Sequence, residues 1–248
     1  MIVLDIAVNE LRRLFLSPLA WLVLALVQLL LAIFFFVILS QYLGSPQVFA
    51  GKGITEIVVV GMFQIAGILL LLITPFITMR LFSEEQRTGT IKLLLSSPVS
   101  ATELVLGKYL GVIFLLLIML GMIALMPLSL LYGTGLDMGQ LGAIFLSMLL
   151  LMCTLSAIGL FFSCLTKHPS IAAIITFGII FVLWIIHVGG STGGGVFSST
   201  LTYLSMLRHY NNLLEGIFSS VDLFYYLILT TVFILLSIWR LDALRTYS

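Results

Sequence analysis

Arg80-Leu81-Phe82-Ser83-Glu84-Glu85-Gln86-Arg87-Thr88-Gly89-Thr90-Ile91-Lys92, running on through Leu93-Leu94-Leu95-Ser96-Ser97-Pro98-Val99-Ser100-Ala101-Thr102-Glu103-Leu104-Val105-Leu106-Gly107-Lys108, is a polar island in an apolar chain. The chain has 11 basic and 10 acidic residues, and seven of them lie here: Arg80, Glu84, Glu85, Arg87, Lys92, Glu103 and Lys108. Outside the island the 248 residues are dominated by hydrophobic runs. The whole is 61% hydrophobic and 8% charged, with a mean hydropathy of +1.27. Soluble domains carry roughly 25% charged residues. The composition therefore predicts an all-α polytopic membrane protein, one domain over 1–248, with too little polar surface to encode a separate soluble unit. A net charge of +1 with no basic block offers nothing to nucleic acid.

Six apolar runs flank the island. They cover about Leu19 to Leu43, Ile57 to Met79, Tyr109 to Tyr132, Leu141 to Leu165, Ser170 to Val188 and Leu223 to Trp239. A helix needs about 20 apolar residues to cross about 30 Å of hydrocarbon, and these runs suffice. Pro18 and Pro169 sit where a helix tolerates proline, in the first turn. Pro75 and Pro127 fall inside runs, and Pro75 marks an expected kink.

Residues 1–17 place Ile2, Ile6, Leu11, Leu14 and Phe15 roughly on one helical face, with Asp5, Asn9, Glu10, Arg12 and Arg13 interrupting. No long apolar core precedes a small-residue cleavage site, so the stretch reads as an amphipathic helix on the membrane surface and not as a signal peptide. Residues 189–222 open on Gly189-Gly190-Ser191-Thr192-Gly193-Gly194-Gly195 and predict a Gly-rich loop followed by one or two short interfacial helices. That glycine run lacks the Lys-Ser/Thr ending and the strand-to-helix setting of a phosphate loop.

An even number of spans puts both termini on one side. That side carries Arg12, Arg13, Arg80, Arg87, Lys92, Lys108, Lys167, Arg240 and Arg245, and the other carries only Lys52 and Arg208. Positive charge marks the cytoplasmic side, so the termini and the island are expected inside and the Gly-rich region outside.

The spans themselves hold Gln28, Gln64 and some hydroxyls, with no carboxylate, Lys or Arg near a midplane. Secondary transporters usually carry an ionisable or multi-oxygen site there, so self-powered transport is disfavoured. The glutamines are expected to hydrogen-bond between helices. Cys153 and Cys164 lie eleven residues apart in one run and read as small packing residues. On the outer side His187, His209, Glu215 and Asp222 are the groups a membrane-embedded enzyme would have to cluster; their plain reading is unrelated interfacial residues, with Glu215 and Asp222 solvated.

Within the island, Ser83 followed by Glu84 and Glu85 reads as a helix cap with carboxylates in the first turn. Leu93 to Leu95 supply an apolar face, Pro98 breaks the helix, and Ser100 with Glu103 has capping-box spacing for a second helix that feeds the third span. Gly107 and Gly111, four apart, permit a close approach.

These pieces, Glu84 to Thr90, Leu93 to Leu95, Ser97 to Ser100 and Glu103 to Lys108, resemble the first cytoplasmic loop of ABC-2 type permeases, the membrane subunits of export-type ATP-binding-cassette transporters. The six spans, the amphipathic start and the long outer region extend the likeness over the whole chain. Arg208-His209-Tyr210-Asn211-Asn212-Leu213-Leu214-Glu215-Gly216-Ile217, ahead of Asp222-Leu223-Phe224-Tyr225-Tyr226, is similar to the gliding-motility-associated (GldF-like) subgroup. Lys92 departs from it, standing where relatives often have Glu.

The resemblance implies a non-catalytic permease subunit in a bacterial inner membrane. The island would be a coupling helix docking on a separate ATPase through Glu84, Glu85, Arg87, Gly89, Thr90 and Lys92. ATP and Mg would be bound by the ATPase, present in two copies, with no cofactor in this chain. Six spans imply a second permease copy, the same or homologous. Arg208, His209, Tyr210 and Glu215 would face a periplasmic or auxiliary subunit. A variant of this reading passes ATP-hydrolysis energy to an outer partner with no solute crossing.

Overall fold

The computed structural model describes residues 2–45, 51, 53–91, 94, 99–132, 135–191 and 203–246. All regular elements among them are helical: α1 (Ile2–Leu16), α2 (Pro18–Gly44), a π-helical turn (Thr55–Val59) leading into α3 (Val60–Thr78), α4 (Ser83–Thr88), α5 (Ala101–Ser129) closed by a 3-10 turn, α6 (Met138–Leu165), α7 (Pro169–Ser191), α8 (Met206–Leu214) and α9 (Ser220–Thr246). Six of these segments are long and apolar enough to cross a membrane: α2, the turn with α3, α5, α6, α7 and α9.

Helix α6 is the axis of the bundle. It packs on α3, α5, α7, α8 and α9, and 72% of its most apolar window is buried, against 22% for α2, 22% for α7 and 17% for α9. The peripheral helices thus present apolar side chains outward, as bilayer-facing helices must. Where α3 crosses α6, Gly159 lies under Thr78, so close that a Cβ there would fall 2.1 Å from the threonine Oγ1. Small residues bring helix backbones together where the surrounding solvent offers no hydrophobic drive.

Alternating helix direction gathers α1, α4, the start of α5, the α6–α7 turn and the end of α9 at one end, the terminal face. The π-helical turn, the start of α6 and α8 gather at the other, the far face. Local signals set the boundaries. Ser17 caps α2 and Pro18 occupies its first turn. Ser100 and Glu103 form a complete capping box on α5. Pro169 opens α7. Asp137 caps α6, accepting from the amides of Gly139 (2.9 Å) and Gln140 (3.2 Å). Gln28 donates to the Met122 carbonyl at 3.2 Å, linking α2 to α5 as expected. Gln64 instead faces outward, lining an open recess. Both cysteines are free and lie on α6.

Four elements refine these expectations, and the extent of α7 corrects one. Helix α1, the amphipathic start, packs along α5, with Ala7 and Glu10 buried. Gly107 receives Ile6, and Gly111 receives Ala7 and Glu10, at distances no Cβ would allow. Leu4, Val8 and Leu16 remain on the outside of α1. As expected, the island's second helix feeds the third span: residues 101–108 are the first two turns of α5, because the capping box starts a helix that nothing then interrupts. Helix α7 runs on through Gly189 and Gly190 to Ser191, past the point at which the Gly-rich loop was expected to begin.

Helix α8, a short helix in the region between the fifth and sixth spans, plugs the far end of the bundle. Met206, His209, Tyr210, Leu213 and Leu214 are buried against α3, α6 and α7. The Tyr210 hydroxyl donates to the Phe63 carbonyl at 2.7 Å. Burial pushes that phenol's pKa up, so it stays a neutral donor. The Pro98 break and Lys92 lie outside the described residues.

Candidate functional site

Near its start the island forms a six-residue helix, α4 (Ser83–Thr88), seated on the terminal face. Ser83 is not its cap. The cap position is Phe82, and Ser83 is the first helical residue, its own hydroxyl turned back to the Met79 carbonyl. A helix leaves its first four amides without intrahelical partners, and here α6 supplies one. Ser163 Oγ accepts from the amides of Phe82 (3.0 Å) and Ser83 (3.2 Å) and donates to the Met79 carbonyl (3.0 Å). All its hydrogen-bonding capacity is used. One turn on, Gln86 Nε2 donates to the Cys164 carbonyl at 2.7 Å. The loop is thereby fixed to the last turn of α6.

A charge cluster fixes its other side. Lys108, on α5, is 3% exposed. Its ammonium donates to Glu85 Oε1 at 2.6 Å, to the Leu81 carbonyl at 2.8 Å and to Glu10 Oε2 at 3.1 Å. All three of its protons are placed. It also lies 5.1 Å from the centre of the Phe82 ring, within cation–π range. Arg13 of α1 bridges outward, reaching Glu85 Oε1 at 3.3 Å, Glu84 Oε2 at 3.4 Å and Glu10 Oε2 at 3.7 Å. Three carboxylates and two cations from α1, α4 and α5 thus meet at one point.

The remaining edge of α4 is open. Arg87, Thr88, Gly89 and Thr90 are all exposed. Gly89 ends the helix in the left-handed region, φ 78°. Glycine adopts that conformation without the penalty a Cβ would bring. Thr88 Oγ1 bonds the Glu84 carbonyl and Thr90 Oγ1, both at 2.9 Å, which closes the last turn.

The sequence-derived residues therefore divide. Arg87, Gly89 and Thr90 sit on the open edge. Glu84 is half-buried beside Arg13. Glu85 is turned inward onto Lys108. Glu10, Arg13 and Lys108 were missed as site residues. The sequence held one partial signal: a lysine at the start of an apolar run needs an anion, though nothing local says which.

On the far face, His209 and Tyr210 are turned inward and so are not surface contacts, while Arg208 and Glu215 are exposed. His209 stacks on Tyr225 with ring centres 4.2 Å apart. Its Nδ1 meets Asp222 Oδ1, and its Nε2 meets the Tyr203 carbonyl at 2.9 Å. A carbonyl can only accept, so Nε2 carries a hydrogen. Asn212 Nδ2 donates to Asp222 Oδ2 at 3.4 Å. Asp222, expected to be solvated, is 3% exposed. Of the four groups an outer enzyme would need, His209 and Asp222 meet in this closed clasp. Glu215 is elsewhere, lining a recess of about 520 Å³ with Glu56, Gln64 and Gln140. The His187 side chain lies outside the described residues.

The family model described as ABC-2 family transporter protein matches residues 4–243. No curated protein matches the chain.

Proposed function

Since the chain belongs to the ABC-2 family of transporter proteins, as the membrane permease component of an ABC transporter, we propose that α4 and the open edge behind it are where the partner ATPase delivers its energy. The observation that carries this reading is the seating of α4. One short helix is tied to α1 and α5 through Glu85, Lys108 and Arg13, and to α6 through Ser163 and Gln86, while Arg87 to Thr90 stay exposed. A load applied to that edge passes by hydrogen bonds and ion pairs into two spans and the amphipathic helix at once.

On this reading the terminal face is cytoplasmic in a bacterial inner membrane, in keeping with nine basic residues on that side against two. ATP and Mg are bound by the ATPase and not by this chain. Six spans are completed by a second permease copy, each copy receiving one ATPase. ATP-driven closure of the ATPases moves the two α4 helices, and cargo is exported. The Arg208 to Ile217 pattern supports a place in the gliding-motility subgroup.

Charge reversal at Glu85 would set an arginine against Lys108 and confound docking with folding. The test is therefore Arg87→Glu combined with Thr90→Arg, both on the open edge. The ATPase is expected to co-purify with this variant about ten-fold less well than with the wild type, equivalent to about 1.4 kcal/mol, while the variant inserts and melts normally. Undiminished co-purification would refute the assignment.

A further inference from the structure

Arg80 and Glu84 line one recess without pairing with each other. The recess, of about 120 Å³, lies between the end of α1, the start of α2 and the end of α3, and Glu10 and Arg13 complete its charged rim. Arg80 is exposed in the turn between α3 and α4 and makes no hydrogen bond or ion pair among the described residues. Glu84 gives its Oε2 to Arg13 at 3.4 Å, and its Oε1 has no partner among the described residues. The other two charges are spent. Glu10 is held by Lys108 at 3.1 Å, and Arg13 is shared among Glu10, Glu84 and Glu85. The four charges of the rim sum to zero, yet one guanidinium and one carboxylate oxygen stay open in the same recess.

Below that rim the lining is apolar, with Leu14, Leu19, Phe76 and Leu115. Its depth in the membrane is marked by Trp21, in the first turn of α2. That side chain is 61% exposed and donates its indole N–H to the Phe15 carbonyl at 2.9 Å. Tryptophans of this kind gather at the level of the lipid headgroups. Leu19 and Ala20, of the same turn, line the recess, so its open charges lie at headgroup depth.

We propose that the recess binds the headgroup of a phospholipid carrying both a phosphate and a primary ammonium, a phosphatidylethanolamine of the terminal-side leaflet, with the phosphate on Arg80 and the ammonium on Glu84. A guanidinium matches phosphate with paired N–H donors. The ammonium donates hydrogen bonds to the carboxylate that a quaternary choline cannot donate. An anionic headgroup has no cation to offer and would bring its phosphate beside Glu84 and Glu10. The acyl chains remain in the leaflet. None of residues 87–90 lines the recess, so the assignment does not depend on where the ATPase docks.

The test uses the full chain alone, purified in detergent and offered phosphatidylethanolamine, phosphatidylcholine and phosphatidylglycerol of identical chains in equal amounts, with bound lipid read by native mass spectrometry. One phosphatidylethanolamine is expected to be retained in excess of both others. Arg80→Gln should lower that excess about five-fold, and Arg80→Lys should keep most of it. Glu84→Gln should bring phosphatidylethanolamine down to the phosphatidylglycerol level. Lys167→Gln removes an exposed cation of the terminal face that does not line the recess and should change nothing. Each of these variants should melt as the wild type does, since substitutions at open positions cost little. An excess of free phosphoethanolamine should leave the lipid in place. Equal retention of the three lipids, a preference for phosphatidylglycerol, a preference unchanged in Glu84→Gln, or a loss in Lys167→Gln equal to that in Arg80→Gln would overturn the proposal. So would displacement by free phosphoethanolamine, which would assign the recess to a soluble phosphate ester.

Discussion

At Lys108 the ammonium has exchanged water for three fixed oxygens and an aromatic face. Desolvating a charge is expensive, and the arrangement holds only while its partners remain. Lys108→Met leaves Glu10 and Glu85 facing each other without their buried cation. A loss of about 3–5 kcal/mol is expected in the unfolding of the purified protein, with Glu10→Gln in the same chain restoring part of it. Arg87→Ala, one helical turn from Glu84 but on the open edge, should stay within about 0.5 kcal/mol of the wild type. Ser163 tests the other seat. Ser163→Ala leaves the Phe82 and Ser83 amides buried without an acceptor, and denaturation should show a cost of about 1–3 kcal/mol. Neither contact is visible in the sequence. Glu10 and Lys108 lie 98 positions apart, and Ser163 and Phe82 lie 81 apart, so no local pattern marks either pair.

At the scale of elements, what was legible is what is local. Long apolar runs give the six spans, and Pro18, Ser100 with Glu103, and Pro169 give three helix starts, because these signals act within one turn. The fate of the amphipathic helices was not legible. An apolar stripe says that α1 and α8 bury a face, but not against what. Gly107 and Gly111 turned out to be the bed for α1, and Gly67 part of the socket for Tyr210. Ser83 was misread as a cap because the true partner of those amides is Ser163, on another helix. The glycine bed gives a prediction at this scale. Gly111→Leu puts side-chain atoms where the Ala7 carbonyl and Glu10 now lie, and the carbonyl is backbone that cannot rotate away. Helix α1 should lift from α5, seen as faster amide hydrogen exchange across 2–16 while the exchange of α6 is unchanged. Protection of α1 equal to wild type would contradict the packing described.

The whole molecule is a bundle built around α6, with its open polar edge at one end and a plugged, clasped end at the other. Both ends grip α6: Ser163 holds the loop at its last turn, and Ser147 donates to the Tyr210 carbonyl at 3.3 Å nearer its start. Displacement of α4 is thus coupled to the central helix, and through it to α8. The overall plan was legible from composition, since an 8% charged chain leaves few alternatives. Which charges stay exposed and which are consumed internally was not, because burial is a tertiary property. Glu85 and Arg87 are two positions apart in the same short helix and end on opposite sides of that division.

The most direct measurement places a photo-crosslinking side chain singly at Arg87, at Thr90 and at Arg208 in the full-length protein within its native membrane. The ATPase subunit should be captured from Arg87 and Thr90 and not from Arg208. Capture of the ATPase from Arg208, or its absence from both positions on the open edge, would contradict the claim that α4 receives the energy of the transporter.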